Sequence, residues 1–198
     1  MSQQEIWNSK FSRDGYLYGT KPNSFIASKV KLFKKGGKVL CLGEGEGRNA
    51  IFLAKKGFDV TAIDASDVGL LKLEKRAKEE NLHIETICID LKHWEPKEKY
   101  DVIITSFLHV HEDERPMLFE KIEESLLSDG YFVAEFFSVN QLSYSSGGPK
   151  DEKLLYKVED FKKHYVFSDA QVKEQITILD EGKGHQGEAS VIRVIKEG

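Results

Sequence analysis

The stretch KVLCLGEGEGRNAIF, residues 38–52, joins an apolar run to a helix-like run through three alternating glycines, Gly43, Gly45 and Gly47. A strand that ends in a glycine turn and opens a helix fits few architectures. Glycine lets the backbone turn sharply and admits a ligand where a Cβ would stand in its way. In a doubly wound sheet such a turn lies at the carboxyl end of the first strand, on the edge where ligands bind.

The rest of the chain agrees with that placement, because short apolar runs alternate with longer amphipathic ones. The strand candidates are KVLCLG, DVTAID, ETICID, DVIITSF and YFVAEFF. Over PNSFIASKVKLFKKGG, Asn23 or Ser24 can cap a helix that carries Ile26, Val30 and Phe33 on one face and closes at Gly36. Further helices are expected over residues 48–56, over VGLLKLEKRAKEE, from about Asp113 to near Gly130, and around EDFKKHY. The helix at Asp113 has acids clustered in its expected first turn, where Pro116 is tolerated. QVKEQITILD and GEASVIRVIK, joined by EGKGHQG, read as a hairpin, so one edge runs antiparallel. The pattern predicts an α/β fold: a doubly wound seven-stranded sheet, mostly parallel, with a C-terminal antiparallel hairpin.

At 198 residues, 40% hydrophobic and 31% charged, the chain is expected to form one domain with a core that needs no staples. The nearest approach to a linker is SVNQLSYSSGGPK, too long for a tight connection. A net charge of −4 argues against a nucleic-acid partner. No apolar run reaches the roughly 20 residues of a membrane span, and MSQQEIWNSKF lacks a signal-peptide pattern, so a cytoplasmic location is expected. Cys41 and Cys88 sit in strand-like runs and read as reduced core residues.

Two acids, Glu44 and Glu46, stand between the glycines. Gly45, Gly47 and Ala50 satisfy the G-x-G-x-x-G/A dinucleotide pattern, and Asp64 lies near the spacing of a ribose-binding acid. Yet two carboxylates would repel a pyrophosphate, Arg48 could pair only part of their charge, and the terminal hairpin is not a sixth parallel strand. A positively charged ligand fits the loop better.

These residues resemble the class I S-adenosylmethionine-dependent methyltransferases, and within them the small tellurite-resistance and thiopurine-methyltransferase-like group. The resemblance rests on YGTKPNSF, on VLCLGEGEGRNAIFLAKKGFDVTAIDAS, on YDVIITSFLHVH, and on EFFSVNQ with SGGP. It implies a Rossmann-like single domain over 1–198. Residues 1–36 would form an N-terminal cap and first helix, 37–138 the cofactor core, and 139–198 the substrate-side loop and hairpin. It further implies S-adenosylmethionine as cofactor. Gly43, Gly45 and Gly47 would line its methionine part, with Glu44 or Glu46 near the ammonium and Asn49 beside them in GRN. Asp64, followed by Ala65, would accept the ribose hydroxyls, and Asp90 with Leu91 would edge the adenine. Ser106 and Phe107 would flank the transferring methyl, and Tyr18 would close over the cofactor. The sequence departs from the family at Cys41, where the first strand usually carries an acid, and Glu44 is the expected substitute.

The implied reaction is direct displacement to a small-molecule acceptor, with an NAD(P)-dependent oxidoreductase and a non-catalytic S-adenosylmethionine-binding protein as alternatives. A hydroxyl or amine acceptor would need a base, for which His109, His111 and Glu135 are the candidates. His109 and His111 would share a strand face, but two histidines without further ligands make a poor site, so no metal is expected. Trp7, Phe11, Tyr16 and Tyr18 read as one packing face, SSGGPK as a turn or a loop over the substrate, and Gln141 as a possible contact there.

Overall fold

In the computed structural model, which describes residues 1–198, seven strands form one sheet. They are β1 (Lys38–Leu42), β2 (Asp59–Asp64), β3 (Glu85–Cys88), β4 (Tyr100–Ser106), β5 (Leu126–Phe137), β6 (Gln171–Glu181) and β7 (His185–Glu197). Their order is β3-β2-β1-β4-β5-β7-β6, parallel from β3 to β5, with β7 antiparallel to both its neighbours. Leu42 pairs with Ile63 and Thr105, and Ser106 with Glu135, so the carboxyl ends of β1, β2 and β4 are level along one edge.

Side chains alternate across the sheet and so feed two cores. Val39 and Cys41 point into a layer with α2 (Ser24–Lys29), α3 (Arg48–Lys55) and α4 (Asp67–Glu79). Leu40 and Leu42 point into the opposite layer, with α5 (Arg115–Ser125) and α6 (Val158–Lys162). Cys41 is fully buried as expected, but Cys88 is exposed, because β3 is an edge strand with β2 as its only partner.

Several expected boundaries move. The helix capped by Asn23 stops at Lys29, and a single 3-10 turn, Val30–Leu32, follows it; Gly36 bends a later turn at φ +68°. Lysines at 29, 31, 34 and 35 would crowd like charges on a longer helix, whereas Lys34 finds Asp101 at 2.9 Å. The helix expected from Asp113 to Gly130 spans only Arg115–Ser125, leaving the acids ahead of its first turn. Pro116 fits its start, and at Leu126 pairing with Tyr100 ends it by starting β5. The first helix, α1 (Gln3–Phe11), was not anticipated, although its signal is present in SQQE. The Ser2 hydroxyl accepts from the Glu5 N–H at 3.2 Å, and the Glu5 carboxylate accepts from the Ser2 N–H at 2.7 Å. SVNQLSYSSGGPK is tied down: the Gln141 carbonyl oxygen accepts from the Ser190 N–H, and its amide donates to Ser146 Oγ and the Gly147 carbonyl.

Asn23 joins elements far apart in sequence. Its Oδ1 accepts from the Ile26 N–H at 3.0 Å, capping α2, while its Nδ2 donates to Glu135 Oε2 at 2.7 Å and Glu181 Oε1 at 3.1 Å. Its own N–H donates to Asn49 Oδ1 at 2.8 Å. Asn23→Ala removes the cap and leaves two buried carboxylates short of a donor, a loss of about 3 kcal/mol. Urea unfolding of the variant is expected to show it; a change below about 1 kcal/mol would mean that the node is not a structural keystone.

Candidate active site

A cavity opens at the carboxyl edge of the sheet, between the glycine loop, the ends of β2 and β4, α1 and the turn joining β6 to β7. Tyr18, Gly43, Glu44, Gly45, Glu46, Gly47, Asp64, Ala65, Asp90, Leu91, Ser106 and Phe107 all line it. Asn49 does not. It donates from Nδ2 to Ser106 Oγ at 3.0 Å and so holds a lining residue in place. The glycines are required by packing as well as by access. Gly43 has φ +63°, and a Cβ there would lie 2.5 Å from Leu108 Cδ1; one on Gly45 would lie 2.9 Å from the Phe11 ring.

The two loop acids have different duties. Glu44 Oε1 accepts the N–H groups of Asn49 and Ala50, both at 2.8 Å, so a carboxylate of the chain itself fills the amino end of α3. Its Oε2 makes no hydrogen bond within the protein. Burial pushes the Glu44 carboxyl up to about 7 against the pull of those amides and Arg48. Glu46 has a partner on each oxygen, one of them a cation: Oε2 accepts from the Leu17 N–H and Oε1 from Lys72 Nζ, both at 2.7 Å. It thereby straps the N-terminal segment to α4. Arg48 pairs with neither acid of the loop but with Glu181 at 2.9 Å.

Asp64 ends β2 with Oδ2 accepting from the Gly45 N–H and Oδ1 from the Ser66 N–H, each at 2.7 Å. Each oxygen keeps a lone pair for another donor. Burial pushes its carboxyl up to about 6. Capping of α4 falls to Ser66, whose hydroxyl accepts from the Gly69 N–H. Asp90 accepts from the Lys92 N–H at 3.1 Å, so it both begins a turn and lines the cavity.

Phe107 lies just past β4 in the left-handed region, at φ +55°, with its N–H on the Glu135 carbonyl at 2.7 Å. That twist turns the following residues off the strand line, so His109 and His111 do not share a strand face. His109 lines the cavity, with Nε2 buried and unpartnered, and burial pushes its pKa down to about 3. It is a poor proton acceptor at neutral pH. His111 lies outside the cavity, 3.3 Å from Asp113. Glu135 is buried with Oε1 held by Arg193 at 2.6 Å and Oε2 by Asn23, so it too is unavailable. Sequence reasoning missed Trp7, Arg48, Leu108 and His185, which also line the cavity. Trp7 and His185 come from the two ends of the chain, and no local spacing links them to the loop.

The strand order, with the antiparallel β7 inserted between β5 and β6, and a cavity over the glycine loop define the Rossmann-like fold of S-adenosylmethionine-dependent methyltransferases. The crystal structure of TehB from Haemophilus influenzae superposes with a TM-score of 0.73 at 19% identity, covering 98% of this chain and 66% of that one. An S-adenosylmethionine-dependent methyltransferase from Clostridium acetobutylicum superposes with a TM-score of 0.69 at 17% identity, covering 98% and 97%. The chain belongs to the tellurite resistance protein TehB family, whose model matches residues 6–143. A curated relative, the "Probable S-adenosyl-L-methionine-dependent methyltransferase TehB" of Haemophilus influenzae (strain 10810), is 32% identical over 96 residues. That alignment takes in 48% of this chain but only 34% of the relative.

Glu44 and Asp64 titrate higher in the folded chain, at about 7 and about 6, than the ordinary 4.5 and 3.8. Between those limits the folded state binds more protons than the unfolded one, so their contribution to stability is full at low pH and is lost as pH rises through 6 to 7. His109 acts oppositely, its contribution falling as pH drops below 6.5. Glu44→Gln isolates the first effect. The stability of the wild type relative to this variant is expected to fall between about pH 5 and pH 8, as read from urea midpoints; a flat difference would contradict the assigned burial.

Proposed function

We propose that this chain transfers a methyl group from S-adenosylmethionine to a small-molecule acceptor by direct displacement, acting as a single methyltransferase domain over residues 1–198 in the cytoplasm. The observation that carries the reading is the Glu44 carboxylate on the amino end of α3. A dinucleotide would need those amides for its pyrophosphate. Here they are taken by a carboxylate whose second oxygen remains open at the cavity, which disfavours phosphate and favours a cation.

The donor set fits the cofactor. Glu44 Oε2 is the acceptor left for its ammonium, since both oxygens of Glu46 are used within the protein. The remaining lone pairs of Asp64 suit two vicinal ribose hydroxyls, and Asp90 with Leu91 would edge the adenine. Tyr18, Ser106 and Phe107 would surround the methyl. Bound S-adenosylmethionine supplies a methyl on positively charged sulfur, an electrophile with a neutral leaving group. The chain supplies in-line placement and exclusion of water, to which α1 contributes Trp7 in the cavity wall. The net charge of −4 supports a small acceptor over a nucleic acid. No helix is long and apolar enough to cross a membrane.

Calorimetric titration with S-adenosylhomocysteine, S-adenosylmethionine and NAD tests the reading. Micromolar binding of both adenosyl compounds and none of NAD is expected. In Asp64→Ala the affinity is expected to fall by about 1.5–3 kcal/mol, the worth of a hydrogen bond to a charged group. Binding of NAD alone would overturn the proposal.

A further inference from the structure

His185 opens β7 beside the place assigned to the methyl. Its ring lies 4.3 Å from that of Tyr18 and 4.6 Å from that of Phe107, centroid to centroid, with Phe137 at 5.0 Å. Gly184 makes this closeness possible, because a Cβ there would lie 2.5 Å from Tyr18 Cε1. His185 is only 3% exposed and lines the cavity. Its Nδ1 is 3.4 Å from Glu181 Oε2. Glu181 is itself anchored, by Arg48 at 2.9 Å and by Asn23 at 3.1 Å.

This geometry selects one tautomer. An ionised carboxylate only accepts, so Nδ1 must carry the proton that faces it. Nε2 is then an acceptor, and it makes no hydrogen bond within the protein. We propose that His185 Nε2 takes the proton of a protic methyl acceptor, a neutral thiol or hydroxyl, as the methyl moves, and that Glu181 positions the ring. The inference rests on the methyl-transfer reading above and adds the acceptor class.

The step balances. The X–H bond of the acceptor breaks, its proton goes to Nε2, and its electron pair stays on X. X bonds to the methyl carbon while the pair of the breaking carbon–sulfur bond stays on sulfur and cancels its charge. The imidazolium forms next to Glu181 and returns its proton to solvent when product leaves.

The charged and titratable groups around the ring agree with this role. They are Glu181 at the end of β6, Arg48 on α3, Lys10 on α1, Tyr18 from the N-terminal segment and His109 after β4. Burial lowers the His185 pKa, Arg48 and Lys10 push the same way, and Glu181 opposes them, so the ring is neutral at pH 7. Burial works to raise Glu181, but His185 and Arg48 outweigh it and keep the carboxylate ionised. Glu46 and Glu181 both have partners, so neither favours a cationic acceptor. A second hollow adjoins the first between α1 and the turn at Gly148, where Ile6, Trp7, Pro149 and Leu154 supply apolar walls and Gln3, Lys10 and His109 polar ones.

The test compares two single-ring thiols on the full chain: benzyl mercaptan, which keeps its proton at neutral pH, and thiophenol, which is largely thiolate there. His185→Gln is expected to lower kcat on benzyl mercaptan by about 100-fold or more and on thiophenol by less than about fivefold. In the variant the benzyl mercaptan rate should climb about tenfold per pH unit toward the thiol's own ionisation, where the wild type is flat above about pH 7. S-adenosylhomocysteine affinity within about threefold of wild type establishes that the variant is folded. Independently of turnover, nitrogen-15 NMR of the wild type should find the proton of His185 on Nδ1. An Nε2–H tautomer, no loss, or equal losses on the two thiols would overturn the proposal. So would a wild type that methylates neither thiol but does methylate dimethyl selenide, which has no proton to lose; that result would leave the methyl-transfer reading standing. Failure of the wild type to bind S-adenosylhomocysteine would remove both.

Discussion

Five carboxylates, Glu44, Glu46, Asp64, Glu135 and Glu181, are buried along one edge of the sheet, and the chain must provide donors for each of them. An unpaired buried charge costs several kcal/mol, more than most contacts in the fold return. The donors come from every part of the molecule: the amino end of α3, the backbone of the glycine loop, Lys72, Asn23, Arg48 and Arg193. Meeting that demand is what brings the N-terminal segment, α4 and the terminal hairpin to the same edge.

Those carboxylates divide into three that are ion-paired within the protein, Glu46, Glu135 and Glu181, and two, Glu44 and Asp64, held by backbone amides without a cationic partner. Glu46 and Glu135 have both oxygens engaged within the protein and act as struts. Glu44 and Asp64 line the cavity, Glu44 with Oε2 free of any hydrogen bond within the protein and Asp64 with only amide N–H groups on its two oxygens. Burial raises both of their pKa values, so a cation or a pair of hydroxyl donors beside them would relieve a cost that burial imposes. The left-handed Phe107 belongs to the same edge, since it turns the chain out of β4 at the wall of the cavity.

Much of this was legible in the chain. Short apolar runs and period 3.6 located all seven strands and most helices, because a strand buried on both faces reads as a continuous apolar run and a helix packed on one face as a stripe. Local chemistry also read true where a side chain serves its own neighbourhood: Asn23, one of the two cap candidates, caps α2. Boundaries moved where a distant partner intervened. β5 begins at Leu126 because Tyr100 is there to pair with it, and Cys88 is exposed because β3 has nothing on its outer side. The capping box at Ser2 and Glu5 is visible in the chain, but no apolar stripe strong enough to announce α1 follows it.

The sequence by itself determined the strand–glycine–helix turn, the acid at the end of β2, and the residues that would face a ligand from the first half of the sheet. These follow from neighbours within a few residues, where backbone geometry leaves little choice. Only the tertiary structure decided which of the two loop acids stays open to the cavity, that Arg48 turns to Glu181, and that His185 comes to rest between Tyr18 and Phe107. Those outcomes depend on partners outside each residue's own neighbourhood, Leu17 and Lys72 for Glu46, Glu181 for Arg48, and Tyr18 and Phe107 for His185, and a contact across such separations leaves no periodicity to read.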